Sequence, residues 1–265
     1  MTVTINESAT ISSCATIDDR VLPLGRRKSL STVDVVVPCY NYGRYLRDCV
    51  NSVLSQAGVS VRVLVIDDAS TDATTKVAAE ANAQIVSINR RQIAAARNAG
   101  ARAAHGQILF FVDADTRINS THLVNATAAL EAGYAGGGAR VMTDGVIPLW
   151  ARIFLRVFCT IYFALNLGAG AFLFTTRRNF DATGGFDEQF FIGEEIYFSL
   201  ALRKIGRFKV LREPILTSGR KLRIYSGRHI LLRSCAIMIR GTRAARSRDK
   251  LEFWYDGKRE DPGPV

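Results

Sequence analysis

Three groups of acids in this 265-residue chain have the spacing to do chemistry. Asp113 and Asp115 stand two positions apart, directly after the apolar run at 108–112. In extended backbone such positions point to the same side, so the two carboxylates are expected to face one another. Carboxylates held that way repel unless a cation lies between them, and hard Mg²⁺ or Mn²⁺ prefers oxygen ligands. Asp is also common in turns, so a lone D-x-D is a weak sign; its place after an apolar strand strengthens it. Asp67 and Asp68, followed by Ser70, are either turn and N-cap chemistry or acceptors for nucleobase N–H and ribose hydroxyl groups. Glu194 and Glu195 open a helical pattern. They are either acids well placed in a first helical turn or a general base for an attacking hydroxyl.

The elements that position these acids follow from hydrophobic period. Residues 33–37 are a β-branched run stopped by Pro38, the profile of a buried strand. Tyr42, Tyr45, Leu46, Cys49, Val50, Val53 and Leu54 then recur at helical spacing, with Gly58 as a stop. A strand at 61–66, a helix through about Ala81, a strand at 85–88, an alanine-rich helix at 93–105 and a strand at 108–112 follow. Strands alternating with helices imply parallel βαβ units, whose ligands bind beyond the carboxyl ends of the strands. Both aspartate clusters fall at that edge.

Other chemistries lack their signatures. There is no G-x-x-x-x-G-K-[ST], H-E-x-x-H or G-x-S-x-G, and His105, His122 and His229 have no metal-ligand spacing. Gly168-Ala169-Gly170 begins like G-x-G-x-x-G but has Leu173 at the last position. Five cysteines form no C-x-x-C pair, so reduced buried thiols are expected. Apolar residues at 48% exclude a charge-rich disordered chain.

Five motifs in order resemble a family 2 glycosyltransferase of GT-A fold, over about residues 33–223. Pro38-Cys39-Tyr40-Asn41 resembles the turn after the family's opening strand. Asp67-Asp68-Ala69-Ser70-Thr71-Asp72 is similar to its D-D-x-S-x-D, Ala96-Arg97-Asn98-Ala99-Gly100 to its A-R-N-x-G, and Asp113-Ala114-Asp115 to its D-x-D. Gly184-Gly185-Phe186-Asp187-Glu188 with Gly193-Glu194-Glu195 looks like its acceptor-side elements. The resemblance implies an α/β domain at 31–225 with a mostly parallel, Rossmann-like sheet flanked by helices. It implies that Asp68 contacts the base with Asp67 nearby, that Pro38 and Tyr40 line the nucleotide pocket, and that Arg97 helps organise the ribose and diphosphate end. Asp115, helped by Asp113, would hold Mg²⁺ or Mn²⁺. Glu195 aligns with the catalytic aspartate and Glu194 with the acid before it; Glu195 is one methylene longer than the usual residue. The implied reaction is inverting transfer of a sugar from a nucleotide-diphosphate sugar to an acceptor hydroxyl. Arg220 and Lys221, in Thr217-Ser218-Gly219-Arg220-Lys221, are either clamps for donor diphosphate or acceptor phosphate, or part of a solvated basic loop.

The net charge of +11 is uneven. Residues 203–250 hold fifteen Lys/Arg against two acids, Glu213 and Asp249. Aromatics are sparse there, so a nucleic-acid partner is not expected. Arginines interleaved with 230–232 and 237–239 suggest a basic helical segment at 226–265 that binds an anionic membrane surface. Residues 1–30 read as a flexible extension, or else an extra strand or cap, with no secretion signal. The expected location is cytoplasmic, peripherally bound to the inner membrane face. The charge-free run at 157–174 reads first as an interfacial amphipathic segment, then as a buried helix, then as a span; a lipid-linked acceptor would suit it. The competing functions are an inactive GT-A-like membrane- or nucleic-acid-binding module, and a sugar nucleotidyltransferase.

Overall fold

Valine at 33, 35, 36 and 37 leaves little of the first strand for water, and all four side chains are fully buried. That strand sits inside the sheet, with a hydrophobic layer on each side. The computed structural model describes residues 32–225 together with 245 and 246. The expected extension at 1–30 lies outside the described residues, as does nearly all of the basic segment and tail at 226–265.

In chain order the elements are β1 (Thr32–Cys39), α1 (Gly43–Leu54), β2 (Ser60–Asp68), α2 (Thr74–Glu80), β3 (Gln84–Ile88), α3 (Ile93–Ala103) and β4 (Ile108–Val112). Then come β5 (Thr116–Arg117), α4 (His122–Glu131), β6 (Tyr134–Thr143), α5 (Leu149–Ala164), β7 (Phe172–Thr176) and α6 (Arg177–Thr183). The last are α7 (Glu194–Ile205), β8 (Arg207–Thr217) and α8 (Arg220–Ile224).

One sheet runs in the order β3-β2-β1-β4-β7-β6-β8-β5. The α/β, mostly parallel expectation holds, and β6 also pairs with β8 in parallel. The β3-β2-β1-β4 half is parallel, as the βαβ reading requires, but β7 runs antiparallel to both β4 and β6. The sheet is therefore mixed. Pro38 does not stop β1: it pairs in register with Ile66, and the strand runs on to Cys39. The β4 ladder on the other side ends at Val36, so the missing proline N–H is not needed there.

Strand alternation sorts the core. Val33, Val35 and Val37 pack with Leu46, Cys49, Val50 and Val53 of α1. Val36, Leu64 and Ile66 face α3, together with Phe111, Phe186 and Phe198. Close approach of α3 to the sheet requires Gly100, where a Cβ would meet Val36 Cγ1 at 2.2 Å. Cys39 and Cys49 are buried free thiols, as expected, whereas Cys159 is free but only half-buried.

The charge-free run at 157–174 is not one element. α5 ends at Ala164, Asn166 takes a left-handed φ of 55°, and residues 172–174 enter the buried strand β7. Among the described residues no helix is long and apolar enough to cross a membrane.

Buried Asp34 ties β2 and the α3–β4 turn to β1. It accepts from Arg62 Nε at 2.7 Å and from the His105 and Gly106 amides at 2.6 Å each. Burial by itself would raise its pKa, but the Arg62 guanidinium and the two amides outweigh that and hold it below the ordinary value. A depressed folded pKa contributes stability that is full above the unfolded value of about 3.9 and lost as pH falls through the folded one. Asp34→Asn is expected to lower the urea midpoint at neutral pH and to flatten the stability loss below about pH 4. An unaltered acid limb in urea titrations of that variant would assign the loss to other groups.

Candidate active site

The loops after β1, β2 and β3 each hold one non-glycine residue in left-handed backbone: Asn41 (φ 55°), Ala69 (φ 60°) and Arg91 (φ 51°). Each such residue costs on the order of 1–2 kcal/mol, and strained positions gathered at one edge are typical of binding sites. The loops are stitched together. Asn41 N donates to Ser70 Oγ at 2.9 Å, and Thr71 N donates to Asn41 Oδ1 at 2.7 Å. Gly43 N at the start of α1 donates to Asp72.

Asp68 is spent on this scaffold. It accepts from the amides of Arg90 (2.6 Å), Arg91 (2.8 Å) and Gln92 (2.8 Å), which lead into α3. Asp67 accepts from the Ser70 amide at 3.1 Å. Asp67 thus makes the local turn contact open in the sequence, whereas Asp68 braces the distant loop before α3, and neither acid caps α2. The Arg91 guanidinium lies 3.6 Å over the ring of Tyr40, which directly follows β1.

The D-x-D is not extended. β4 ends at Val112, and Thr116 N donates to the Asp113 carbonyl at 2.9 Å, closing a turn. Side chains two apart in a turn need not share a side, and here each carboxylate goes to a different arginine. Arg97 Nη2 donates to Asp113 Oδ1 at 2.9 Å, and Arg220 Nη1 donates to Asp115 Oδ2 at 2.8 Å. The expectation that extended backbone turns both carboxylates to one side is corrected accordingly: the pair sits in a turn, and each acid has a guanidinium beside it.

Both arginines reach further. Arg97, 1% exposed, also donates to Glu194 Oε1 at 2.6 Å and to the Gly170 carbonyl at 2.9 Å, and lies 5.2 Å from the Phe186 ring centre. A side chain on Gly170 would stand 3.0 Å from Arg97 Nη2, so glycine there admits the guanidinium. Arg220, 3% exposed, also binds the Tyr42 hydroxyl and lies 4.8 Å from that ring's centre. It is no solvated loop residue. The Lys221 charge acts on both Asp113 and Asp115.

Glu194 and Glu195 form the first turn of α7, after Gly193. Glu194 is buried against Arg97. Glu195 is half-buried, and burial with the adjacent Glu194 charge pushes its carboxyl well above the ordinary range, against the pull of Arg97. Burial likewise raises Asp113 and Asp115, with Arg97 and Arg220 pulling them back.

Among the described residues no three His, Cys, Asp or Glu side chains are grouped to hold a metal by themselves. Two carboxylates fit Mg²⁺ or Mn²⁺, ions that complete their shells with water and phosphate oxygens rather than a closed protein cage. That donor set is present in Asp113 and Asp115.

Sequence reasoning missed the neighbours that build the site. Asn98 grips the loop before α7, donating to the Phe186 carbonyl at 2.8 Å and accepting from its amide at 2.9 Å. Gln92 Nε2 donates to the Glu188 carbonyl at 2.5 Å. The helical spacing of Tyr42 marks a packed face and gives no sign of its contact with Arg220. The adjacency of Arg97 and Asn98 in one motif was the available signal for the first; nothing local marked the others.

Residues 34–213 match the family described as Glycosyl transferase family 2. The chain is 31% identical over 201 residues to the succinoglycan biosynthesis protein ExoO of Rhizobium meliloti. The match takes in 71% of this chain and 56% of that protein, so it spans little more than half of the relative. Among solved structures, the fold resembles residues 1–349 of TarS from S. aureus in complex with UDP (TM-score 0.56, 21% identity, 71% of this chain and 60% of that one). It also resembles the mannosyltransferase PcManGT from Pyrobaculum calidifontis in complex with GDP-Man and Mn²⁺ (TM-score 0.60, 20% identity, 84% and 68%).

Proposed function

The chain belongs to glycosyl transferase family 2, and on that premise we propose that it moves a sugar from a nucleotide-diphosphate sugar to an acceptor hydroxyl, inverting the anomeric carbon. The observation that carries this reading is the Arg97 bridge. One buried guanidinium joins a D-x-D carboxylate to the acid pair of α7, so the donor-side and acceptor-side carboxylates share one centre. The UDP bound by TarS and the GDP-Man and Mn²⁺ bound by PcManGT support a nucleotide-sugar donor with a divalent ion.

In this reading the nucleobase lies on the strained edge, against Pro38 and the Tyr40 ring. Asp67 and Asp68 act through the loop they hold, Asp68 by fixing residues 90–92. Asp113 and Asp115 would hold Mg²⁺ or Mn²⁺, which when bound neutralises the charge that grows on the leaving diphosphate. Arg220 and Lys221 stand beside Asp115 and supply further positive charge to the diphosphate. Glu195, with its raised pKa, is a strong enough base to take the acceptor's proton. A single displacement from the face opposite the leaving group inverts the centre and needs no carboxylate nucleophile. Glu194, held by Arg97, positions the turn that carries Glu195. The basic residues from 203 to 250 support an anionic membrane surface as a partner, and with it a cytoplasmic, peripherally bound location.

A thermal-shift titration tests the donor site. UDP or GDP with Mn²⁺ is expected to raise the melting temperature, by an amount that grows with ligand concentration. Asp115→Ala is expected to abolish the Mn²⁺-dependent part, from a lower starting melting temperature because buried Arg220 loses its carboxylate. A wild-type protein that responds to no nucleotide would favour the inactive-module reading.

A further inference from the structure

α5 is sixteen residues long, and Ala151 is its one buried position. Leu149, Ile153, Val157, Ile161 and Leu165 recur every fourth residue and leave 56–69% of their surfaces exposed. A continuous apolar stripe of this kind is uncommon on a soluble face and marks an interaction surface. The helix contains no acid; Arg152 and Arg156 are exposed along it, and Arg203 Nη1 donates to the Leu165 carbonyl at 2.9 Å. At about 1.5 Å per residue it is too short for a hydrocarbon core of about 30 Å.

We propose that α5 lies flat in the headgroup region of an anionic phospholipid bilayer, with its apolar stripe inserted and its arginines on lipid phosphates. Charge complementarity selects this occupant, because an apolar stripe on a helix without acids, with Arg152 and Arg156 exposed along it, matches an anionic interface. Tyr162, half-buried on α5, ties the helix to the segment before β7. The Tyr162 hydroxyl donates to the Gly168 carbonyl at 3.0 Å, and the Glu195 and Glu194 charges help raise its pKa, after burial. The bilayer therefore meets the protein one helix away from the proposed base, and the acceptor hydroxyl is borne by a membrane-anchored molecule. That last step rests on the transferase reading; the bilayer contact does not.

The test is flotation of the full chain with vesicles of phosphatidylcholine alone or mixed with phosphatidylglycerol. Wild type is expected to float with the anionic vesicles. Ile153→Ser/Val157→Ser/Ile161→Ser is expected to lose on the order of tenfold or more of that partition, since each substitution removes inserted methylenes. Its melting temperature and its shift with UDP and Mn²⁺ should stay unchanged, because all three positions are exposed. Arg152→Ala/Arg156→Ala, a milder variant, should weaken binding to anionic vesicles alone. Wild type that floats with neither vesicle overturns the proposal. So does a folded triple variant that floats like wild type, which would leave binding to the residues past 225. A wild-type dimer that the triple variant converts to monomer would assign the stripe to a second copy of the chain. Normal flotation without any nucleotide shift in wild type would sink the transferase reading and leave the bilayer contact standing.

Discussion

Glu195→Gln is expected to lower kcat by about 10²–10⁴-fold, the usual contribution of a general base, with nucleotide affinity changed little. Glutamine keeps the shape and the hydrogen-bonding oxygen but cannot take a proton. Two observations favour Glu195 over its neighbour as the proposed base. Glu194 is buried and its Oε1 is held by Arg97 at 2.6 Å, whereas Glu195 is half-buried and its carboxyl is raised by burial and by Glu194. A base must be deprotonated to work, so activity is expected to rise with pH through a midpoint well above the ordinary carboxylate value. That limb should vanish in the glutamine variant. Isothermal titration with UDP beside steady-state rates separates the two effects. Near-normal turnover in Glu195→Gln would remove it as the base, and the same substitution at Glu194 would then be the one to examine.

Arg97→Ala is expected to cost about 3–5 kcal/mol of stability, because it leaves Asp113 and Glu194 facing each other without their shared cation. Attraction within the bridge has to offset the desolvation of three charged groups, and three short contacts satisfy the guanidinium's Nη atoms. Nε has no hydrogen-bond partner, which adds to the cost of the assembly. Arg97→Lys should recover part of the loss, since an ammonium restores the charge but lacks the planar fork that spans both carboxylates. Equilibrium denaturation measures both variants. A loss under about 1 kcal/mol for alanine would mean that the bridge is close to neutral and that its value lies in orienting Asp113 and α7.

The parallel half of the sheet was readable because its signals are local. Valine runs, a 3.6-residue period and turn residues between them mark β1 through β4 within a few residues of their observed ends. The second half was not readable in the same way. β6 contains Gly136-Gly137-Gly138, a poor strand by composition, which forms because Phe174 and the β8 backbone close over it. β7 hid inside an apolar run that also contained half of α5, and period alone does not divide helix from buried strand in such a run.

What the sequence determined by itself is the inventory: the family, the residue types at the strand ends, and the order of the acids and arginines that meet there. Chemistry and spacing suffice for that, since a turn, a cap or a motif involves residues within a few positions of one another. What the tertiary structure decided is which charge meets which. Arg97 and Glu194 are 97 residues apart, and Arg220 and Asp115 are 105. No periodicity links such positions; only the packing of α3, α7 and α8 around the end of β4 brings them within hydrogen-bond reach. The same packing decided that Asp68 braces the loop before α3, that the D-x-D carboxylates part toward separate arginines, and that no described residue covers the apolar stripe of α5.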